Sequence, residues 1–117
     1  PPGVAGLDLI TFFFFYHDTV WLEVDRARMN RRLYEALKPG GILVVADHSA
    51  RPGDGANVTK TLHRIEESVV RRELEAAGFH FVSEGRWLRN PADARETPVQ
   101  KNTVPNDEFV LKYRKPQ

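Results

Sequence analysis

The chain has 117 residues, 41% hydrophobic and 28% charged, with a formal net charge of +1. That is the composition of one ordinary folded domain; it excludes global disorder and gives no field that would favour nucleic acid or a membrane surface. The absence of cysteine excludes disulfides, thiol catalysis and thiolate metal sites, and leaves the redox compartment open.

The longest apolar run, Leu9 to Tyr16, is too short to span a bilayer. It lacks the basic flank and small-residue cleavage site of a signal peptide. Any targeting segment would lie upstream of Pro1, and the default expectation is the cytoplasm.

In chain order, Pro1-Pro2-Gly3 and Gly6 read as loop. Leu7 to Tyr16 is continuously apolar and aromatic, which predicts a strand covered on both faces, ended by His17-Asp18-Thr19. Met29, Leu33, Ala36 and Leu37 recur at helical spacing, with Arg26, Arg28, Arg31 and Arg32 elsewhere on the wheel. They predict an amphipathic helix capped by Asp25. Lys38-Pro39-Gly40-Gly41 stops it.

Ile42 to Ala46 is a second strand, ending in Asp47-His48, and residues 49–57 form a loop. A short helical piece over Thr59 to Ile65 precedes a clearer helix over Glu66 to Ala77, with Gly78 past its end. A third strand starts at Phe79, residues 89–106 form a long proline-bearing loop, and Glu108 to Tyr113 alternates as a fourth strand.

The expected class is α/β, in the order β-α-β-α-β-β, mostly parallel with a C-terminal antiparallel hairpin. Right-handed crossovers put both long helices on one face of the sheet. The other face is then bare within this chain, with Phe12 or Phe13, Val44 or Val45, and Phe109 or Val110 pointing into it.

Leu37-Lys38-Pro39-Gly40-Gly41 followed by Ile42-Leu43-Val44-Val45 resembles the helix-to-strand step of class I S-adenosylmethionine-dependent methyltransferases. Asp8-Leu9-Ile10 with Tyr16-His17-Asp18 is similar to that family's fourth strand. Glu73 to Phe79 is similar to the helix before its sixth strand, and Phe109 to Pro116 to its last. Asp47-His48, Gly53-Asp54-Gly55, Leu62-His63-Arg64-Ile65 and Leu88-Arg89-Asn90-Pro91 extend the likeness to a bacterial group of small-molecule methyltransferases.

The resemblance implies a partial Rossmann-like methyltransferase domain over residues 1–117, without the N-terminal half that carries the glycine-rich loop and the ribose-holding acid. Gly53-Asp54-Gly55 follows a later strand and lacks the third glycine, so it is not read as a cofactor loop.

Ligands of parallel sheets sit at the carboxyl ends of the strands. His17 and Asp18 end one strand and Asp47 and His48 its neighbour, so the four are candidate catalytic residues: a base with an orienting acid. They would equally serve as strand caps. The resemblance places Tyr16 and His17 beside S-adenosylmethionine, which this chain alone is not expected to bind tightly. His63 and Arg64 are candidate substrate-binding residues; either the piece over Thr59 to Ile65 folds across the rim, or Leu62 and Ile65 dock it and leave His63 solvated. No H-x-x-x-H or H-E-x-x-H spacing occurs, so the spacing assigns no metal site.

Three functions follow as alternatives. The first is part of a methyltransferase acting on a small molecule, incomplete as this chain. The second is a non-catalytic, homo-oligomeric binding module that keeps the rim. The third is a structural remnant with no ligand. The expected partner is a second copy, meeting through the bare face or the Phe12 to Phe15 edge; neither nucleic acid nor membrane is expected. The methyl acceptor is not readable from these residues.

Overall fold

The computed structural model describes residues 3–117; the Pro1-Pro2 part of the opening loop lies outside the described residues. The elements are β1 (Leu7–Phe13), α1 (Tyr16–Trp21), α2 (Arg26–Ala36), β2 (Leu37–His48), α3 (Thr59–Leu62), α4 (Glu67–Ala76), β3 (His80–Gly85), a 3₁₀ turn (Val99–Lys101) and β4 (Glu108–Arg114). They form one four-stranded sheet in the order β1-β2-β4-β3. β1 is parallel to β2, and β4 runs antiparallel to both β2 and β3. Three strands therefore point the same way, and β4 lies inserted among them as the return arm of the C-terminal hairpin.

Alternation decides which residues are covered. Ile10 and Phe12 of β1, Leu43 and Val45 of β2, and Phe109, Leu111 and Tyr113 of β4 face one side. There they pack with Val69, Val70 and Leu74 of α4 and with Met29, Leu33 and Tyr34 of α2. The side chains between them face the other way. Leu9 is 55% exposed and Phe13 51% exposed. Phe13, Val44 and Val110 are thus the members of each expected pair that point to the bare face. Trp87 and Leu88 lie at one end of it, where with Phe13, Phe14, Ala46 and Val110 they line a hollow of about 260 Å³.

Two expectations are corrected. The first strand stops at Phe13, not Tyr16. Phe14 takes a left-handed backbone (φ 57°) while its N–H still donates to the Ala46 carbonyl at 2.8 Å, and the chain turns directly into α1. The helix capped by Asp25 ends at Ala36, so Leu37 already belongs to β2. The cap itself is as expected, the Asp25 carboxylate accepting from the Arg28 N–H at 3.0 Å.

The Lys38-Pro39-Gly40-Gly41 step lies inside β2. Leu7 pairs with Leu37 and Leu9 already pairs with Ile42, so residues 38–41 bulge out of the ladder. Gly40 takes φ 83°, and Gly41 is crowded: a Cβ there would lie 2.9 Å from the Lys38 carbonyl and 3.0 Å from the Leu7 carbonyl. Backbone atoms on two strands cannot yield cheaply. Gly41→Ala should therefore cost about 1–3 kcal/mol, read as a lower urea midpoint with an unchanged slope. An unchanged midpoint would show that the bulge relaxes freely.

No helix among the described residues is long and apolar enough to cross a membrane.

Candidate functional site

The carboxyl ends of β1 and β2 meet at one rim. Asp47, at the end of β2, is fully buried. Its Oδ2 accepts the His17 backbone N–H at 2.8 Å, and its Oδ1 lies 2.7 Å from His17 Nδ1 and accepts the His48 N–H at 2.8 Å. A carboxylate only accepts, so Nδ1 carries the proton and Nε2 is the free position of the ring. Burial alone would lower the His17 pKa; the bond to Asp47 and the charges of Asp47 and Asp18 outweigh it and raise the value above the ordinary 6.5.

His17 Nε2 faces Asp18 Oδ1 at 3.4 Å, and that oxygen also accepts from Trp21 Nε1 at 2.8 Å. Ser49 extends β2 and bridges to Ile65; Ile65 N donates to the His48 carbonyl and Ala50 N to the Ile65 carbonyl, both at 3.0 Å. This pairing carries His63 to the rim at the end of α3, where it adopts a left-handed backbone (φ 56°, ψ 42°). Its ring meets the His17 ring edge-on at 5.7 Å. Of the two arrangements open to His63, the chain adopts the one that reaches the rim.

His48 stacks on Phe14 at 5.1 Å. Its Nδ1 lies 2.6 Å from Glu108 Oε2, but off the line a hydrogen bond needs, so the nitrogen has no bonded partner among the described residues. Burial pushes His48 down, and burial with the charges of Asp47 and Asp107 pushes Glu108 up. Both shifts are away from the charged forms. Glu108 also borders a hollow of about 430 Å³ that runs from Trp87 to Asn106.

Two candidates are placed elsewhere. Tyr16 is fully buried and points into the core. Its hydroxyl donates to Glu73 Oε1 at 2.7 Å and accepts from Asn30 Nδ2 at 2.9 Å, while Arg26 also grips Glu73. That side chain cannot face a cofactor. Arg64 is 0% exposed, and all its donors are taken: Thr97 O, Ser49 O, both oxygens of Asp93, and Asn106 Oδ1. Arg64 pins the long loop of residues 89–106 beneath the rim; it does not bind substrate.

Sequence reasoning missed Glu108, which sits directly opposite His48 in the β2–β4 register. That signal exists only once β4 is known to lie beside β2. The Gly53-Asp54-Gly55 turn has its Gly53 and Gly55 N–H groups bonded to Glu66 Oε1 at 2.7 and 3.1 Å. Those donors are not free for a ligand.

No family model and no curated protein matches the sequence. Solved structures do share the fold. The [4+2]-cyclase SpnF superposes with a TM-score of 0.65 at 18% identity, covering 99% of this chain and 52% of its own. The N-methyltransferase NodS from Bradyrhizobium japonicum gives 0.59 at 16%, covering 97% and 53%. An S-adenosylmethionine dependent methyltransferase from Mesorhizobium loti gives 0.58 at 18%, covering 93% and 62%. The chain shares the fold of part of these structures, two of them methyltransferases, and it spans between about half and three-fifths of their length.

Proposed function

We propose that this chain is the acceptor-side portion of an S-adenosylmethionine-dependent methyltransferase for a small molecule, with His17 as base and Asp47 as the acid that orients it. The observation that supports this reading is the buried Asp47–His17 pair at the strand-end rim of a methyltransferase-type sheet, with Nε2 directed away from Asp47. A base fixed in tautomer and orientation can take a proton from an acceptor hydroxyl or amine as that atom attacks. Asp18, His48 and His63 border the same position.

The described residues do not fit the methyl donor by themselves. Tyr16 is turned inward and the Gly53-Asp54-Gly55 amides are occupied, so the donor would be held by residues outside this chain. Titration of the chain with S-adenosylhomocysteine should give no micromolar binding; such binding would refute this division of labour. In any longer form that binds the donor, His17→Gln and Asp47→Asn should slow transfer about 10²–10⁴-fold with the fold retained. Alanine is the poorer probe, because removing either buried partner strands the other at about 1–3 kcal/mol. Equal rates in the Gln and Asn variants would leave the pair a purely structural cap.

The exposed Leu9 and Phe13 favour one further reading, a homo-oligomeric binding module built on the same rim. A second copy on the bare face is compatible with both.

A further inference from the structure

We propose that His17, Asp18 and His63 form a binding site for a divalent first-row transition-metal ion, with Zn²⁺ as its probe. One ligand atom from each of the three lies within 4.8 Å of the others. The His17 Nε2 to Asp18 Oδ1 separation is 3.4 Å, which is the spacing of two ligands on a tetrahedral ion with bonds of about 2.1 Å. Only the His63 ring has to close in, and it is half-buried with no side-chain hydrogen bond among the described residues. Two imidazoles and one carboxylate suit zinc, iron or manganese better than magnesium or calcium, which prefer oxygen alone.

The surroundings have the features a metal site requires. His17 gives its other ring N–H to a fully buried carboxylate, Asp47, the arrangement that orients a metal-bound imidazole and raises its basicity. His63 holds a left-handed backbone, a strained state for a non-glycine residue, and that conformation turns its side chain toward His17. Asp18 and His63 are only partly covered, so an ion has a way in.

Three protein ligands leave a fourth position for water or an oxygen of a bound molecule. An occupied site makes His17 a ligand and passes activation of that oxygen to the ion. The ligands are these three side chains, and the site stands whether or not the methyl-transfer reading holds.

The test is calorimetric titration of the 117-residue chain with Zn²⁺, and separately with Mg²⁺, in a buffer that does not chelate. One equivalent of Zn²⁺ should bind at micromolar concentration or tighter, and Mg²⁺ should give no heat. His63→Ala and Asp18→Asn should each weaken zinc at least tenfold, and Asp47→Asn about 10–100-fold. His80→Ala, an exposed histidine on β3, should change nothing. Circular dichroism of each variant separates lost binding from lost folding, and the partly covered His63 and Asp18 should be replaceable without unfolding. Absence of zinc binding, or binding that survives both His63→Ala and Asp18→Asn, overturns the site.

Discussion

Replacing Asp93 with alanine should remove a large share of the stability of this protein. Asp93 is nearly fully buried and accepts from both terminal nitrogens of Arg64, from the Asp107 and Arg95 backbone N–H groups at 2.7 and 2.9 Å, and from Asn102 at 2.9 Å. Deleting the carboxylate leaves the Arg64 guanidinium buried beside carbonyls without a counter-charge. Breaking such a pair from one side typically costs about 3–5 kcal/mol, against a total of about 5–15 for a domain.

Arg64→Leu should cost less, because Asp93 keeps its three other donors. Urea unfolding followed by circular dichroism gives both numbers; a cost below about 1 kcal/mol for Asp93→Ala would mean that the loop is not pinned here. The same pair sets an acid limit. Burial would raise the Asp93 pKa, but Arg64, the two backbone N–H groups and Asn102 hold it down, from the ordinary 3.8 to about 2. A depressed carboxylate contributes stability above its unfolded value and loses it as pH falls. The midpoint should therefore decline between pH 3.8 and 2.

Light scattering on these 117 residues should report a homodimer. β1 is the last strand of the sheet on its side, so its outer edge is unpaired among the described residues. Leu9 and Phe13 stand exposed on the helix-free face, with Phe14 and Trp87 exposed beside Phe13. An open apolar edge next to an open apolar face recruits another chain. Each 400 Å² covered contributes on the order of 10 kcal/mol, enough to rival an association cost of roughly 4–15. The simplest closed arrangement is a two-fold pair burying the same surface twice. Phe13→Asp, which touches none of the helix-side core, should give monomer or insoluble protein. A soluble, folded monomer of the unmodified chain would refute the dimer.

Local features were readable from the residues. The Asp25 cap depends on one side chain and an amide three positions on. Strand alternation separates Val45 from Val44, but the residues left open which of the two faces the helices, and the structure gives Val45. The turn after Phe13 was hidden because no glycine or proline marks it; a phenylalanine carries the left-handed bend. The role of Arg64 was hidden for two reasons: arginine is seldom buried, and its partner Asp93 lies 29 residues away. At the rim, the meeting of His17, Asp18, Asp47 and His48 could be anticipated from strand ends. The approach of His63 was legible only as one of two alternatives, since it depends on the Ser49–Ile65 bridge.

The insertion of β4 between β2 and β3 bears on how the molecule comes into being. Among the described residues β3 pairs only with β4, and β2 has only β1 until β4 arrives. β4, one of the two inner strands of the sheet, is thus the last of these four to be synthesised. While the chain is still on the ribosome, β1 and β2 can pair, and α4 and β3 can form locally, but no strand ladder yet joins β3 to β2. Closure has to wait for residues 108–114 to emerge and thread between strands that are already present. Such non-local pairing slows folding, and during that interval the apolar face of each half is open to other proteins and to chaperones.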